Sequence, residues 1–333
     1  MTDARYDALG IGNAIFDVLV KTDESFLGRH GMTKGSMTLI DEARAGAIYR
    51  DMGPATEMSG GSAANTIVGI ASLGGRGAYV GKVKDDQIGR LYIHDIRTAG
   101  VAFETAAASE GPATGCSYIL VTDDGERTMN TYLGAAQRLA PADIDPAQIG
   151  SARIVYLEGY LWDPKDAKEA FVKASSIAHA AGRQVALTLS DSFCVDRYRG
   201  EFLELMRKAT IDIVFANEAE LRSLYQTSDF DTALGQLRTD ARLGVVTRTE
   251  KGCVVASSEG VVAVPAFPVE SVVDTTGAGD LFAAGFLFGL VRGTGYENAG
   301  RLGALAAAEV IQHVGARPQV SLKELARQNG LPV

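Results

Sequence analysis

Cysteine is scarce in this chain. Cys116, Cys194 and Cys253 are odd in number, far apart and without any Cys-x-x-Cys spacing. That argues against a disulfide framework and fits a reducing cytoplasm. Histidine is nearly as scarce: His30, His94, His179 and His313 show no ligand spacing, which argues against a protein-built zinc site and leaves them surface or helix-face positions. Long hydrophobic runs are missing too. The longest, Leu281 to Val291, is too short to span a bilayer, and the start Met1-Thr2-Asp3-Ala4-Arg5-Tyr6-Asp7 is charged and lacks an apolar signal core. A soluble cytoplasmic protein with no membrane partner is the expectation. Positive charge is in deficit, 32 Lys and Arg against 41 Asp and Glu, for a formal net charge of -9. An acidic surface of that kind disfavours nonspecific nucleic-acid binding, but it leaves room for a small anion held by a local nest of amides.

Two familiar phosphate motifs are also absent. Gly10-Ile11-Gly12-Asn13-Ala14-Ile15 begins like Gly-x-Gly-x-x-Gly and lacks the third glycine. The stretch ending Gly81-Lys82 lacks the first glycine of a P-loop and carries Val83 where Ser or Thr belongs. Neither a dinucleotide fingerprint nor a P-loop is supported.

What is present is a chain of 333 residues with 46% hydrophobic content, ample for a large core. Short apolar runs alternate with amphipathic stretches. Strands are predicted at Ala8–Gly12, Ala78–Gly81, Ile154–Leu157, Val185–Thr188, Ile213–Phe215 and Gly244–Thr247. Helices are predicted at Ala63–Leu73, Gln87–Thr98, Pro164–Ala181, Glu201–Lys208, Glu218–Tyr225 and Phe230–Arg238. This is the βαβ rhythm of a mainly parallel sheet covered on both faces. Two segments, about 15–40 and 114–133, break it by alternating apolar and polar residues without long helical patterns. In the second, Asp123-Asp124-Gly125 between alternating runs signals a hairpin. Together the two predict a small β-sheet standing off the main one, suited to act as a substrate lid, with a decorative surface hairpin as the alternative.

The most informative run is Asp274-Thr275-Thr276-Gly277-Ala278-Gly279-Asp280, followed at once by the apolar helix candidate Leu281–Phe288. Unpartnered amides at a helix start carry positive potential, and glycines let a phosphate approach them. A carboxylate on that rim can take a proton from a hydroxyl attacking the phosphate, so the run points to phosphoryl transfer to an alcohol. The simpler reading of Asp280 is a helix N-cap after a turn. A carboxylate at a helix start is expected to be ionised at neutral pH and only modestly basic.

Polar residues cluster at other strand ends. Asn13 and Asp17 follow the first strand, and Ser59-Gly60-Gly61-Ser62-Ala63-Ala64-Asn65 opens a helix. Such amides and carboxylates can hydrogen-bond a vicinal diol, although Ser62 also reads as an N-cap and Asn65 as a solvated helix residue. Asn217-Glu218-Ala219-Glu220 follows another strand, where open α/β sheets place ligands. Asn217 and Glu220 fit a capping box and, compatibly with it, a shell of water around Mg²⁺.

The chain resembles the ribokinase-like (PfkB-type) carbohydrate kinase family over nearly its whole length. The residues that carry the likeness are Gly60 to Asn65 running on to Leu73-Gly74-Gly75, Asp274 to Asp280, and Asn217 to Glu220. Within the family it is most similar to the adenosine kinase branch, through Ala152–Tyr160, Leu187–Phe193 and the late helix Ala304–His313 with Val314-Gly315-Ala316. The resemblance implies one domain over residues 1–333, a three-layer α/β/α fold with a mainly parallel central sheet, and a small β-sheet lid formed by about 15–40 and 114–133. It implies Asp280 as catalytic base, Gly277, Ala278 and Gly279 as anion hole, and Arg127 as an arginine that approaches the transferred phosphate unless it faces solvent. Asn13, Asp17, Gly61 and Asn65 would hold ribose, Tyr160 would stack on adenine, and Asn217, Thr247, Thr249 and Thr275 would serve the nucleotide. Glu220 would act on the metal through water.

ATP and Mg²⁺ are the implied cofactors, with room for a monovalent cation such as K⁺. The implied partners are a small nucleoside or sugar and, through an exposed lid edge, a second copy of the chain. Two departures stand out: Thr249 replaces a glycine of the family's Thr-x-Gly pattern, and Tyr160 replaces a phenylalanine, so its hydroxyl needs a partner. The acceptor stays open between the 5′-hydroxyl of adenosine, a free sugar such as ribose or fructose, and guanosine or inosine. A non-catalytic nucleoside-binding regulator on the same fold is the alternative from another class.

Overall fold

A computed structural model describes residues 4–333; Met1-Thr2-Asp3, the first part of the charged start, lie outside the described residues. Its strands, in chain order, are β1 (Tyr6–Ile11), β2 (Ile15–Lys21), β3 (Met37–Leu39), β4 (Thr56–Gly60), β5 (Gly77–Val80), β6 (Val101–Phe103) and β7 (Gly115–Val121). They continue as β8 (Arg127–Tyr132), β9 (Ala152–Glu158), β10 (Gln184–Thr188), β11 (Ile213–Asn217), β12 (Leu243–Thr247), β13 (Cys253–Ser257) and β14 (Gly260–Val264).

Nine of these form one sheet in the order β14-β13-β12-β11-β10-β9-β1-β5-β6. The run from β12 to β6 is parallel throughout, and β13 and β14 add an antiparallel hairpin at one edge that the alternating rhythm had not indicated. Successive side chains of the central strands go to opposite faces. Leu9, Ile11, Val155 and Leu157 enter one buried cluster with the helices Lys165–Ala180, Ser192–Arg207, Glu218–Tyr225 and Phe230–Asp240. Ala8, Ile154 and Tyr156 enter the other with Ser62–Ser72, Gln87–Thr98 and Ala278–Val291. The result is the expected three-layer α/β/α arrangement of the ribokinase-like fold.

The smaller sheet has the order β3-β8-β7-β2-β4. The Asp-Gly hairpin pairs Val121 with Arg127 and Cys116 with Tyr132. A third segment, β4, completes this sheet antiparallel to β2, although its sequence carries too little alternation of apolar and polar residues to announce it. The segment read as free of long helices does hold one short helix, Glu24–Arg29.

Two helix boundaries move. The helix expected from Glu201 begins at Ser192, because Asp191 caps it by accepting from the Cys194 amide, and it kinks at Tyr198 before the apolar half. The late helix runs Tyr296–Val310 rather than Ala304–His313. The chain leaves β1 for β5 on one side and later returns to β9 on the other. That reversal opens a crevice at the carboxyl ends of the strands, the place where doubly wound sheets hold ligands.

Candidate active site

A cleft of ≈ 420 Å³ lies on the helix Gln87–Thr98, but it is shallow and lined only by that helix. The crevice at the switch point is larger, ≈ 920 Å³, and the small sheet overhangs it. It collects residues from every predicted cluster: Asn13, Asp17, Gly61 and Asn65, then Tyr160, then Asn217, Glu220 and Thr247, and finally Thr275 and Gly277 to Asp280. Two predicted site residues, Arg127 and Thr249, are not part of its lining.

Gly277, not Asp280, is the N-cap of the helix Ala278–Val291, and it sits at φ +79°. A side chain there would also meet Ala316 at 2.8 Å, so only glycine fits that turn. Asp280 falls in the first turn of the helix with its carboxylate turned across to the helix Ser62–Ser72. Ser62 Oγ donates to Asp280 Oδ1 at 2.6 Å and Asn65 Nδ2 donates to Asp280 Oδ2 at 3.0 Å. Ser62 is therefore not a cap, since Gly61 holds that position at φ +100°, and Asn65 is buried rather than solvated. Burial holds the Asp280 pKa above the ordinary carboxylate range, while Ser62, Asn65 and the charge of Arg317 pull it back down. Asp280 is thus more basic than a solvated carboxylate, because desolvation outweighs the pull of Ser62, Asn65 and Arg317.

Asp17 faces the same space. Burial raises its pKa to about 7, against the pull of Arg317 and Arg127 and with a further push from Asp280. Glu158, at the end of β9, lies beneath both. Its Oε1 accepts from the amide (3.2 Å) and Nδ2 (2.8 Å) of Asn13, and Oε2 accepts from the Ala63 amide at 2.9 Å. Burial lifts Glu158 to about 7 despite those three donors. It ties the end of β1 to the start of the helix Ser62–Ser72 and so sets the spacing of Asn13 from Asn65.

Arg127 does not face solvent. Its Nη1 donates to Thr276 Oγ1 at 2.7 Å and its Nη2 lies 2.6 Å from Asp274 Oδ2, joining the hairpin to the glycine loop. Asp274 also accepts from the amides of Thr276 (3.0 Å) and Gly315 (2.8 Å). Nε of Arg127 is buried with no hydrogen-bond partner.

At the far end, Asn217 and Glu220 make the predicted capping box. Glu220 Oε2 accepts from the Asn217 amide at 3.0 Å, Asn217 Nδ2 donates to Glu220 Oε1, and Asn217 Oδ1 accepts from the Glu220 amide at 2.8 Å. Burial, assisted by Asp191, lifts Glu220 to about 7. Both its oxygens are occupied, so a cation at this end is better met through water than by direct ligation. Among the described residues no group of three or more His, Cys, Asp or Glu side chains is placed to hold a metal by itself. Thr249 is exposed at φ +50°, the left-handed region that a glycine enters freely, and its Oγ1 turns to Glu250 and to the Arg248 carbonyl.

Tyr160 stands in the short turn after β9, 40% exposed to the cleft. Its hydroxyl donates to the Ser190 carbonyl and its amide to Ser190 Oγ, both at 3.1 Å. Ser190 is held at φ +73°. Phe193 is 79% exposed beside them. From the small sheet, Met37, Leu39, Ile119 and Met129 add apolar side chains to the lining of the same cleft.

Sequence reasoning missed several members of this site. Ser62 was read only as a cap, and Glu158 and Asp274 lay inside quoted motifs without a role. A lone carboxylate ending the apolar run of β9 was a usable signal for Glu158. Arg317 directly follows the run Val314-Gly315-Ala316, but nothing in that run marks the arginine for a role.

Comparison with known proteins bears on the family and the fold. Residues 52–323 match the pfkB family carbohydrate kinase pattern. The chain is 55% identical to a solved structure of adenosine kinase from Sinorhizobium meliloti, covering 98% of this chain and 100% of that one with a TM-score of 0.91. It is 51% identical to a probable sugar kinase protein from Rhizobium etli CFN 42, covering 99% and 100% with a TM-score of 0.92. It is also 34% identical to an ATP-dependent ribose-1-phosphate kinase from Halopiger xanaduensis, over 69% of this chain and 73% of that protein. The chain belongs to the pfkB family of carbohydrate kinases, phosphotransferases that act on a hydroxyl group of a sugar or nucleoside.

Proposed function

We propose that this kinase transfers the γ-phosphoryl group of ATP to the 5′-hydroxyl of adenosine, giving AMP and ADP. The observation that carries the choice of acceptor is Tyr160. An aromatic ring is anchored by its hydroxyl to Ser190 and left open to the cleft, whose lining also includes Met37 and Leu39 of the small sheet. A purine base fills such a slot by stacking, whereas a free sugar has nothing to put there. The likeness to the Sinorhizobium meliloti adenosine kinase supports the same reading.

Asn13, Asp17, Gly61 and Asn65 grip the ribose in this reading. Asn65 spends one Nδ2 hydrogen on Asp280 and keeps the other for a ribose hydroxyl. Asp280 orients the 5′-hydroxyl and accepts its proton as the new phosphorus–oxygen bond forms. The residues present suit a triphosphate: Gly277 turns the backbone, a side chain at Gly279 would meet nothing within 4 Å, and, since the Ala278 amide donates to the Thr275 carbonyl at 3.2 Å, the anion falls to the amides of Gly277 and Gly279. Bound ATP would supply the phosphoryl group, Mg²⁺ would neutralise part of its charge, and Glu220 would hold that ion through water. Asn217, Thr247 and Thr275, which line the cleft, serve the nucleotide, and Arg127 steadies the glycine loop through Thr276 and approaches the phosphoryl group when the small sheet closes. Closure excludes the water that would otherwise accept the phosphoryl group.

The second reading, a sugar kinase, rests on the similarity to the Rhizobium etli protein and to the ribose-1-phosphate kinase. ADP release measured with adenosine, guanosine, inosine, ribose and fructose separates the two. Adenosine is expected to give the highest kcat/KM. Turnover of ribose or fructose equal to or above that of adenosine overturns the choice of acceptor.

A further inference from the structure

Arg317 lies in the loop after the helix Tyr296–Val310, directly after the run Val314-Gly315-Ala316 and outside the glycine-rich motifs. That loop is pinned beneath the glycine run: the Gly315 amide donates to Asp274, and Ala316 packs against Gly277. The guanidinium of Arg317 then reaches in two directions. Its Nε donates to Asn65 Oδ1 at 2.8 Å, and its Nη2 donates to the Ser59 carbonyl and, at 3.2 Å, to Ser59 Oγ. Ser59 is itself held by Asp95, whose Oδ2 accepts from the Ser59 amide at 2.8 Å and from Oγ at 2.6 Å. The arginine is therefore fixed from behind, independently of whatever enters the cleft.

We propose that Arg317 is a positioning residue of the acceptor site, which locks the side-chain amide of Asn65 so that Nδ2 and not Oδ1 faces Asp280. An amide has one acceptor and one donor end. With Oδ1 taken by Nε of Arg317, the donor end is directed at the Asp280 carboxylate. A flipped Asn65 would set two donors against each other on one side and two acceptors on the other. The lock keeps Asp280 hydrogen-bonded at both oxygens, by Ser62 and Asn65, and so keeps one geometry for the hydroxyl that it must orient.

Arg317 also supplies charge. Around Asp280 stand Ser62 and Asn65 from the helix Ser62–Ser72, Asp17 from β2, Glu158 and Tyr156 from β9, Tyr160 after it, and Arg317. Of the ionisable groups in this set, Asp17 and Glu158 are carboxyl groups that burial holds at about 7, and Arg317 is the cation that draws Asp280 toward its ionised form. Losing it leaves the base protonated up to a higher pH.

This inference rests on the reading of Asp280 as the base, and two variants test it through the pH profile of kcat/KM for whichever acceptor the enzyme turns over. Arg317→Met is expected to lower kcat roughly 10-fold or more, with the nucleotide KM unchanged. It is also expected to move the acid limb toward higher pH by about half a unit or more. Arg317→Gln keeps a donor for Asn65 and drops the charge, so kcat should recover while the limb stays displaced. An acid limb that coincides with that of the wild type in both variants overturns the proposal, even where activity is lost, because a merely structural role would lower activity without moving the profile. Should Arg317→Met fail to fold, the limb of Arg317→Gln decides alone. Full turnover by Asp280→Asn would instead remove the reading on which the proposal stands, which keeps the two failures distinct.

Discussion

The two sheets of this protein bury themselves differently. The nine-stranded sheet is covered on both faces, and its central strands β1, β5, β9 and β10 are buried or nearly so along their whole length. The five-stranded sheet packs one face and leaves Met37 and Leu39 49% and 53% exposed over the cleft. A fully covered sheet can hold side chains at its carboxyl ends with little freedom, since moving one would disturb two layers of packing. A half-covered sheet leaves apolar surface that only a ligand, or a closing movement, can bury. The chemistry of transfer and the choice of acceptor therefore belong to different parts of the molecule. Asp280 and its donors sit in the rigid part, while the contrast between nucleoside and sugar is drawn between Tyr160 and the bare face of the small sheet.

Breaking the rigid side should cost most. Asp280→Asn keeps the shape of the side chain and removes the proton acceptor, and steady-state turnover is expected to fall on the order of 10²- to 10⁴-fold. Near-wild-type turnover would mean that positioning alone carries the reaction. On the specificity side the loss should be smaller and selective. Tyr160→Ala removes the stacking surface, so kcat/KM for adenosine should drop roughly 10- to 100-fold while any turnover of ribose stays level. Parallel losses on both acceptors would place Tyr160 in support of the fold instead.

The smallest effect concerns the nucleotide end. Thr249 is a β-branched residue at φ +50°. Thr249→Gly relieves that strain and should stabilise the protein by about 1 kcal/mol, read as a rise of about 2 °C in the thermal midpoint. An unchanged midpoint would show that the bonds of Thr249 Oγ1 to Glu250 and to the Arg248 carbonyl offset the strain.

Local order was readable along the chain. The helices Gln87–Thr98 and Glu218–Tyr225 fall where hydrophobic periodicity and the capping box put them, and the hairpin of β7 and β8 turns at its Asp-Gly. These signals are short-range, carried by residues within a turn or two of each other. β4 escaped notice because its pairing with β2 lies far along the chain and its own residues are largely polar. The family motifs likewise announced phosphoryl transfer from runs of neighbouring residues.

The partners of those motifs came from elsewhere. Ser62 meets Asp280 across 218 positions, Asn65 meets Arg317 across 252, and Arg127 meets Thr276 across 149. No periodicity or propensity encodes such pairings, because each exists only once the layers have packed and excluded water from between them. Packing also turned Asp280 from a solvated carboxylate at a helix start into a desolvated one with a raised pKa, a change in basicity set by burial and by neighbours that the chain brings in from its far ends.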